Sequence, residues 1–286
     1  MPNVRIIRRR IRSVQNTAKI TKAMSMIAAS KMRRAQQQVL AGRPYDERIR
    51  EVLANLAYQI RMEEVAHPLL EQRPVQRIEI VHFTTDRGLC GGLNGNLNRA
   101  AGQHLLREAA PVSVVTVGRK GRDFMVRVGR DVRAVFTGLG DRPSVAGVLP
   151  VARLVIEDYS SRFADRVYLV FPQFINTVVQ RPVIQQLLPV QPAPTQQASV
   201  GYIYEPGALT LLDTLLPRYV EMELYHALLE TVASEQSARM VAMRSATDNA
   251  SEMIDALTLV MNKARQEGIT RELLDIVGGV AALEQA

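Results

Sequence analysis

The sequence predicts an α/β protein. A long antiparallel two-helix coiled coil is formed by the N- and C-terminal helices, with a central small Rossmann-like α/β domain between them in the chain. Two observations carry this prediction. Both ends of the chain place apolar residues at mixed three- and four-residue spacing over many turns, the a/d pattern of helices that supercoil on a partner. The middle alternates short β-branched runs with helical patterns, which predicts a layered, mainly parallel sheet. The expected parts are an N-terminal coiled-coil helix over residues 1–61, a central domain over 75–204, and a C-terminal helix over 207–286 that packs on the first.

The first helix has a seam of Val4, Ile7, Ile11, Val14, Ala18, Thr21, Ser25, Ala28, Met32, Ala35 and Val39, in which only Thr21 and Ser25 are polar. Its first forty residues hold no Gly, and Pro2 stands before the start, where proline is tolerated. Gly42-Arg43-Pro44 either kinks the helix or begins a second one running to about Arg61, with Ile49, Val52, Leu53, Leu56 and Ile60 at helical spacing. A single helix of about 55 residues would span roughly 80 Å, too long for one globular core.

Residues 62–75 contain Pro68 and Pro74 and read as a linker. Strands are expected at 78–83, 112–117, 132–136 and 167–171, with helices at about 93–108, 119–128 and 145–163. Residues 176–204 read as an antiparallel hairpin or edge strands plus a loop, and Tyr202-Ile203-Tyr204 as a last strand. The C-terminal helix carries a second seam: Leu229, Ala233, Gln236, Met240, Met243, Thr247, Ala250, Ile254, Leu257, Met261 and Ala264. Ala238, Ala242, Ala246 and Ala250 recur every four residues, so another helix can approach closely there. Gly268 is a weak point, and Gly278-Gly279 is expected to fray the tip.

Charge is uneven. Residues 1–43 hold eleven Lys or Arg and no Asp or Glu, whereas the whole chain has 36 basic and 28 acidic residues. The excess of +8 therefore comes from one helix, which suits an acidic partner, a phosphate backbone or an anionic surface, or simply forms a solvated face. No apolar run is long enough to predict a transmembrane helix, and no secretory-signal core follows Met1. The seam starts at Val4, which disfavours a cleavable transit peptide. Cys90 is the only cysteine, so no intrachain disulfide can form.

The stretch from Asp86 to Gly95 follows a strand, precedes a helix and is rich in Gly, as phosphate-binding turns are. Its spacing is neither G-x-x-x-x-G-K-[ST] nor G-x-G-x-x-G, so a tight turn is the better reading. Cys90 lies in this loop, and His82 on the strand before it is the only histidine placed to act as its base. No catalytic constellation, cofactor motif or metal-ligand spacing stands out. A basic helix with a supercoiling seam also fits a nucleic-acid- or adaptor-binding coiled-coil protein with an α/β head. Against that, no base-reading cluster is evident, and the chain has no Trp and 5% aromatics for stacking. Methionines on the seams read as flexible core filling, while Met24 and Met26 fall beside the seam.

The residues resemble a known family. Ile20 to Ala35 (ITKAMSMIAASKMRRA) resembles the N-terminal helix signature of the gamma-subunit family of F-type ATP synthases. Asp86 to Asn94 (DRGLCGGLN) resembles its central-domain loop. Ser234 to Ala250 (SEQSARMVAMRSATDNA), with Asn262 to Gln266 and then Ile269-Thr270, resembles its C-terminal helix. The similarity runs from end to end in the family's order. Ser25 stands where many relatives have lysine, and the cysteine-bearing insertion of chloroplast relatives is absent, so the match looks bacterial. The resemblance implies a central rotor stalk with no active site and no cofactor. It would turn inside a hexamer of alpha and beta subunits, with the epsilon subunit and a membrane ring of c subunits at its foot, peripheral to the cytoplasmic face of the plasma membrane. Torque would pass from a proton- or sodium-driven ring to the hexamer. By the same resemblance Met24, Arg244, Arg265, Gln266 and Thr270 match positions facing the beta subunits. Tyr202 and Glu205 match the foot that meets epsilon and the c ring.

Overall fold

The computed structural model describes residues 4–62, 67–140, 143–191 and 207–284. Helix α1 spans Val4–Met62 without a break, so Gly42-Arg43-Pro44 neither ends it nor starts another helix. Pro44 lies inside it and leaves the Leu40 carbonyl without its helical donor. The remaining elements are β1 (Ile78–Phe83), α2 (Leu93–Arg107), β2 (Val112–Val117), α3 (Arg119–Arg127), β3 (Val132–Phe136), α4 (Val145–Ser160), β4 (Arg166–Phe174), β5 (Gln180–Leu188) and α5 (Ala208–Glu284). Helix α5 runs through Gly268 and Gly278. The expected strand at Tyr202–Tyr204 lies outside the described residues.

The chain divides into two compact units, residues 1–27 with 240–286 and residues 28–239. In the first, α1 and α5 pair through the expected seams. Ile7, Ile11, Thr21, Met243 and Ala250 are buried, and Val4, Val14, Ala18, Ile254, Leu257, Met261 and Ala264 are half-buried. Burying each large apolar side chain contributes about 1.5–3 kcal/mol. Two polar contacts set direction and register. The Thr21 and Thr247 hydroxyls meet at 2.7 Å, and Ser25 Oγ donates to the Met240 carbonyl at 3.2 Å. The partner number falls as the α1 number rises, so the pair is antiparallel.

In the second unit the sheet order is β3-β2-β1-β4-β5. β1 pairs in parallel with both β2 and β4, and β2 in parallel with β3. β5 returns antiparallel to β4 at the sheet edge, so among the described residues the stretch expected as a hairpin or edge strands supplies one edge strand, whose hairpin partner is β4. One face of the sheet packs Ile78, Ile80, Val114 and Val170 against Leu97, Ala101 and Leu105 of α2 and Met125 of α3. The other packs Val81, Phe83, Val115 and Leu169 against Val151, Val155 and Tyr159 of α4. The same cluster holds Ile49, Leu53 and Leu56 of α1 and Leu212, Leu216, Val220 and Leu224 of α5. The alternation along β1 comes from the two-residue period of a strand. The segment expected as a linker is partly packed: a 3-10 turn at Pro68–Leu70 buries Leu69, whose carbonyl accepts from the Val190 amide at 2.9 Å.

Candidate functional site

The helical pair of the first unit is held by side chains that leave its outer face free. Thr247 Oγ1 lies 2.8 Å from the Met243 carbonyl, so its proton can go there while it accepts from Thr21. The two hydroxyls are thereby satisfied inside an otherwise apolar seam, as buried polar groups require. This register sets Met24, three residues after Thr21, level with Arg244, three residues before Thr247. Met24 is half-buried and Arg244 is exposed, and Met26, two residues after Met24, is 61% exposed. Structure thus brings Met24 and Arg244 to one level.

Arg265, Gln266 and Thr270 are not at that level. They lie twenty-one or more residues further along α5, about 30 Å along its axis. All three are exposed. Carrying the register back seventeen residues from Thr21 to Val4 reaches Ala264 on α5, so the described part of α1 does not extend past that level. Ile269, Leu273, Leu274, Ile276, Val277 and Val280 are each more than half exposed. Together they make an exposed apolar stretch on the end of α5. The sequence reading missed these six residues, although counting turns on the two seams would have found them. Tyr202 and Glu205 lie outside the described residues. Arg8, Arg9, Arg10, Arg12, Lys19 and Lys22 are all exposed on α1.

The glycine-rich loop is closed on itself. Asp86 accepts the Arg119 amide at 3.0 Å and the Gly138 amide at 2.8 Å, so a carboxylate of the chain already sits where an anion would find backbone donors. Asn94 accepts the Thr85 amide at 3.3 Å and donates to Thr85 Oγ1 at 2.8 Å and to Cys90 Sγ at 3.2 Å. Gly118 has φ +108° and passes so close to Thr84 that a Cβ would lie 2.3 Å from its carbonyl oxygen. Cys90 is buried, and burial pushes its thiol up from the ordinary value. His82 is engaged elsewhere: its Nε2 lies 2.9 Å from Asn98 Oδ1, and burial pushes the imidazole down to about 4. The two do not form a nucleophile and base. Among the described residues no group of three or more His, Cys, Asp or Glu could hold a metal ion, and no helix is long and apolar enough to cross a membrane.

The ATP synthase family profile matches residues 3–283. The ATP synthase gamma chain of Dehalococcoides mccartyi is 59% identical over 285 residues, covering 99% of this chain and 100% of that one. The gamma chain of Herpetosiphon aurantiacus is 48% identical and covers 100% of both. Among solved structures, the central stalk and c-ring of Tetrahymena thermophila mitochondrial ATP synthase contains a chain with TM-score 0.61 and 25% identity, over 79% of this chain and 99% of that one. A chain of the Euglena gracilis mitochondrial ATP synthase matches with TM-score 0.68 and 21% identity, over 98% of this chain and 94% of that one, a likeness of fold. At the identity of the bacterial relatives, a match running the length of both chains takes in helices, loop and sheet alike: the chain belongs to the family of ATP synthase gamma chains.

Proposed function

We propose that the chain is the central rotor stalk of a proton- or sodium-driven rotary ATP synthase, carrying torque from a membrane ring of c subunits to a catalytic hexamer of alpha and beta subunits. The observation that carries this reading is the helical pair of residues 4–27 and 240–284, sealed inside by its seam and unlike on its two outer sides. One side is the basic, acid-free face of α1 and the other is α5 with its uncovered apolar end. A rotor couples by making different contacts at different angles, and only differential contact can shift a partner between states.

In this reading Met24 and Arg244 make one band of contact with the beta subunits. Arg265, Gln266 and Thr270 make a second on the uncovered end. Tyr202 and Glu205 serve the foot that meets the epsilon subunit and the c ring. Residues 1–61 and 207–286 act as the shaft and 75–204 as the central domain, with the whole held to the cytoplasmic face of a bacterial plasma membrane through its complex. The alternative, a coiled-coil nucleic-acid- or adaptor-binding protein, finds no support among the relatives.

The test is Met24→Lys in the complete complex reconstituted into vesicles. A charge added at this half-buried position beside a basic face is expected to lower ion pumping per ATP hydrolysed while assembly and hydrolysis persist. Unchanged coupling would remove Met24 from the contact band. A tagged chain that co-purifies without alpha and beta subunits or ATPase activity would overturn the rotor reading itself.

A further inference from the structure

A polar cavity of about 70 Å³ opens in the second unit beyond the carboxyl ends of β1, β2 and β3. Thr84, Gly118 and Gly138, the residues that leave those strands, are in its wall. The cavity lies outside the carboxyl ends of parallel strands, to the β2 and β3 side of β1. Its charged lining is unbalanced: Lys31, Arg87, Arg119 and Arg239 face Asp86 and Glu235. Both carboxylates are already engaged. Asp86 takes the amides of Arg119 and Gly138 and lies 3.9 Å from Arg119 Nε, and Glu235 is 2.6 Å from Arg239 Nη2. Lys31 makes no ion pair with another described residue.

The remaining observation is Gln236. It occupies a seam position where the pattern calls for an apolar residue. It is 7% exposed, lines the cavity, and its carboxamide bonds to no other described residue. The carboxamide opens to the cavity rather than being sealed in the core, so its N–H donors can meet a ligand there. The carboxamide offers two N–H donors and Lys31 three, and neither is bonded to the Asp86 or Glu235 carboxylate on the wall. We propose that this cavity binds a small tetrahedral oxyanion of the phosphate class, held by the Gln236 amide and the Lys31 ammonium. The volume admits a few waters or one such anion and excludes a nucleoside. The anion is therefore either free phosphate or a terminal phosphoryl group reaching in from outside. The inference is independent of the rotor reading.

The experiment uses the full chain alone, so that no nucleotide site of a hexamer contributes to the signal. Inorganic phosphate is titrated by calorimetry and by phosphorus NMR line broadening. Saturable binding, displaced by sulfate and indifferent to chloride, is expected. Gln236→Leu and Lys31→Met should each weaken it about tenfold, as loss of one good donor does, with helicity and unfolding midpoint retained. If Gln236→Leu does not fold, Lys31→Met decides alone. ADP that binds no tighter than phosphate points to the free anion, and ADP that binds much tighter points to a phosphoryl group. Absence of saturable phosphate binding, or binding equal in both folded variants and the parent, overturns the proposal and leaves a cavity filled by water.

Discussion

Replacing Glu79 with Gln should make the protein more stable at neutral pH, and the gain should disappear in acid. Glu79 sits in the middle of β1 with 0% exposure. As a carboxylate it has no hydrogen-bond partner for either oxygen. Its neighbour is Asp158 on α4, whose two oxygens are gripped by Arg133 of β3 through Nε and through Nη2 at 2.6 Å. Burial first, and then Asp158, push the Glu79 carboxyl up from 4.5 to about 8, while Arg133 pulls the other way. Carrying a proton, Glu79 can donate to Asp158, and the buried group is satisfied.

The folded form thus holds a proton that the unfolded chain has released. The stability associated with it is fully present below 4.5 and is lost as pH rises through about 8. At pH 7 the separation from 4.5 corresponds to roughly 3 kcal/mol, at about 1.4 kcal/mol per pH unit. Gln has the same shape, keeps an N–H for Asp158 and needs no proton. Urea unfolding of parent and Glu79→Gln, followed by circular dichroism at acid, neutral and alkaline pH, is the assay. The expected gain is up to roughly 3 kcal/mol at pH 7 and close to zero near pH 4.5. A variant less stable than the parent at alkaline pH, or two curves with the same slope between acid and neutral pH, would show that Glu79 is ionised in the fold and refute the reasoning.

Two further outcomes are expected. Thr21→Val should destabilise the helical pair by about 1 kcal/mol, and adding Thr247→Val should recover most of it, because removing both hydroxyls leaves no polar group in the seam at that level. A thermal-melt double-mutant cycle reads this, and additive losses would mean the 2.7 Å contact is not a working hydrogen bond. Gly118→Ala should cost more than about 2 kcal/mol, since it adds a positive-φ penalty to a Cβ 2.3 Å from the Thr84 carbonyl oxygen. An unchanged unfolding midpoint would mean that the β2–α3 turn relaxes freely.

The parts of this protein governed by local periodicity were legible in the chain. The α1 seam from Val4 to Val39 is buried or half-buried at every position, because helical phase alone decides which side chains share a face. β1, β2, β3, α2, α3 and α4 begin where the alternation between β-branched and helical runs begins. Of the candidate site, Met24 and Arg244 were found through resemblance, and only the register of two helices more than two hundred residues apart sets them level. The exposed apolar stretch at the end of α5 was not picked out from the sequence, because exposure there depends on what packs across from it.

Placing β4 beside β1 could not be read locally either, since strand pairing joins segments far apart in sequence. The same holds for the polar exceptions. Thr21 and Gln236 look alike in the pattern, each a polar residue on an apolar seam. Tertiary structure gives one of them a hydroxyl from the opposite helix and the other a cavity, because a side chain's partner is set by what packs across from it. Glu79 is the sharpest case: in sequence it is an acidic residue within a strand, and only enclosure beside Asp158 pushes its carboxyl up from the ordinary range. The amino-acid order determined the helices, the strands and the faces they bury; the charge state of a buried group and the company it keeps were decided when those faces met.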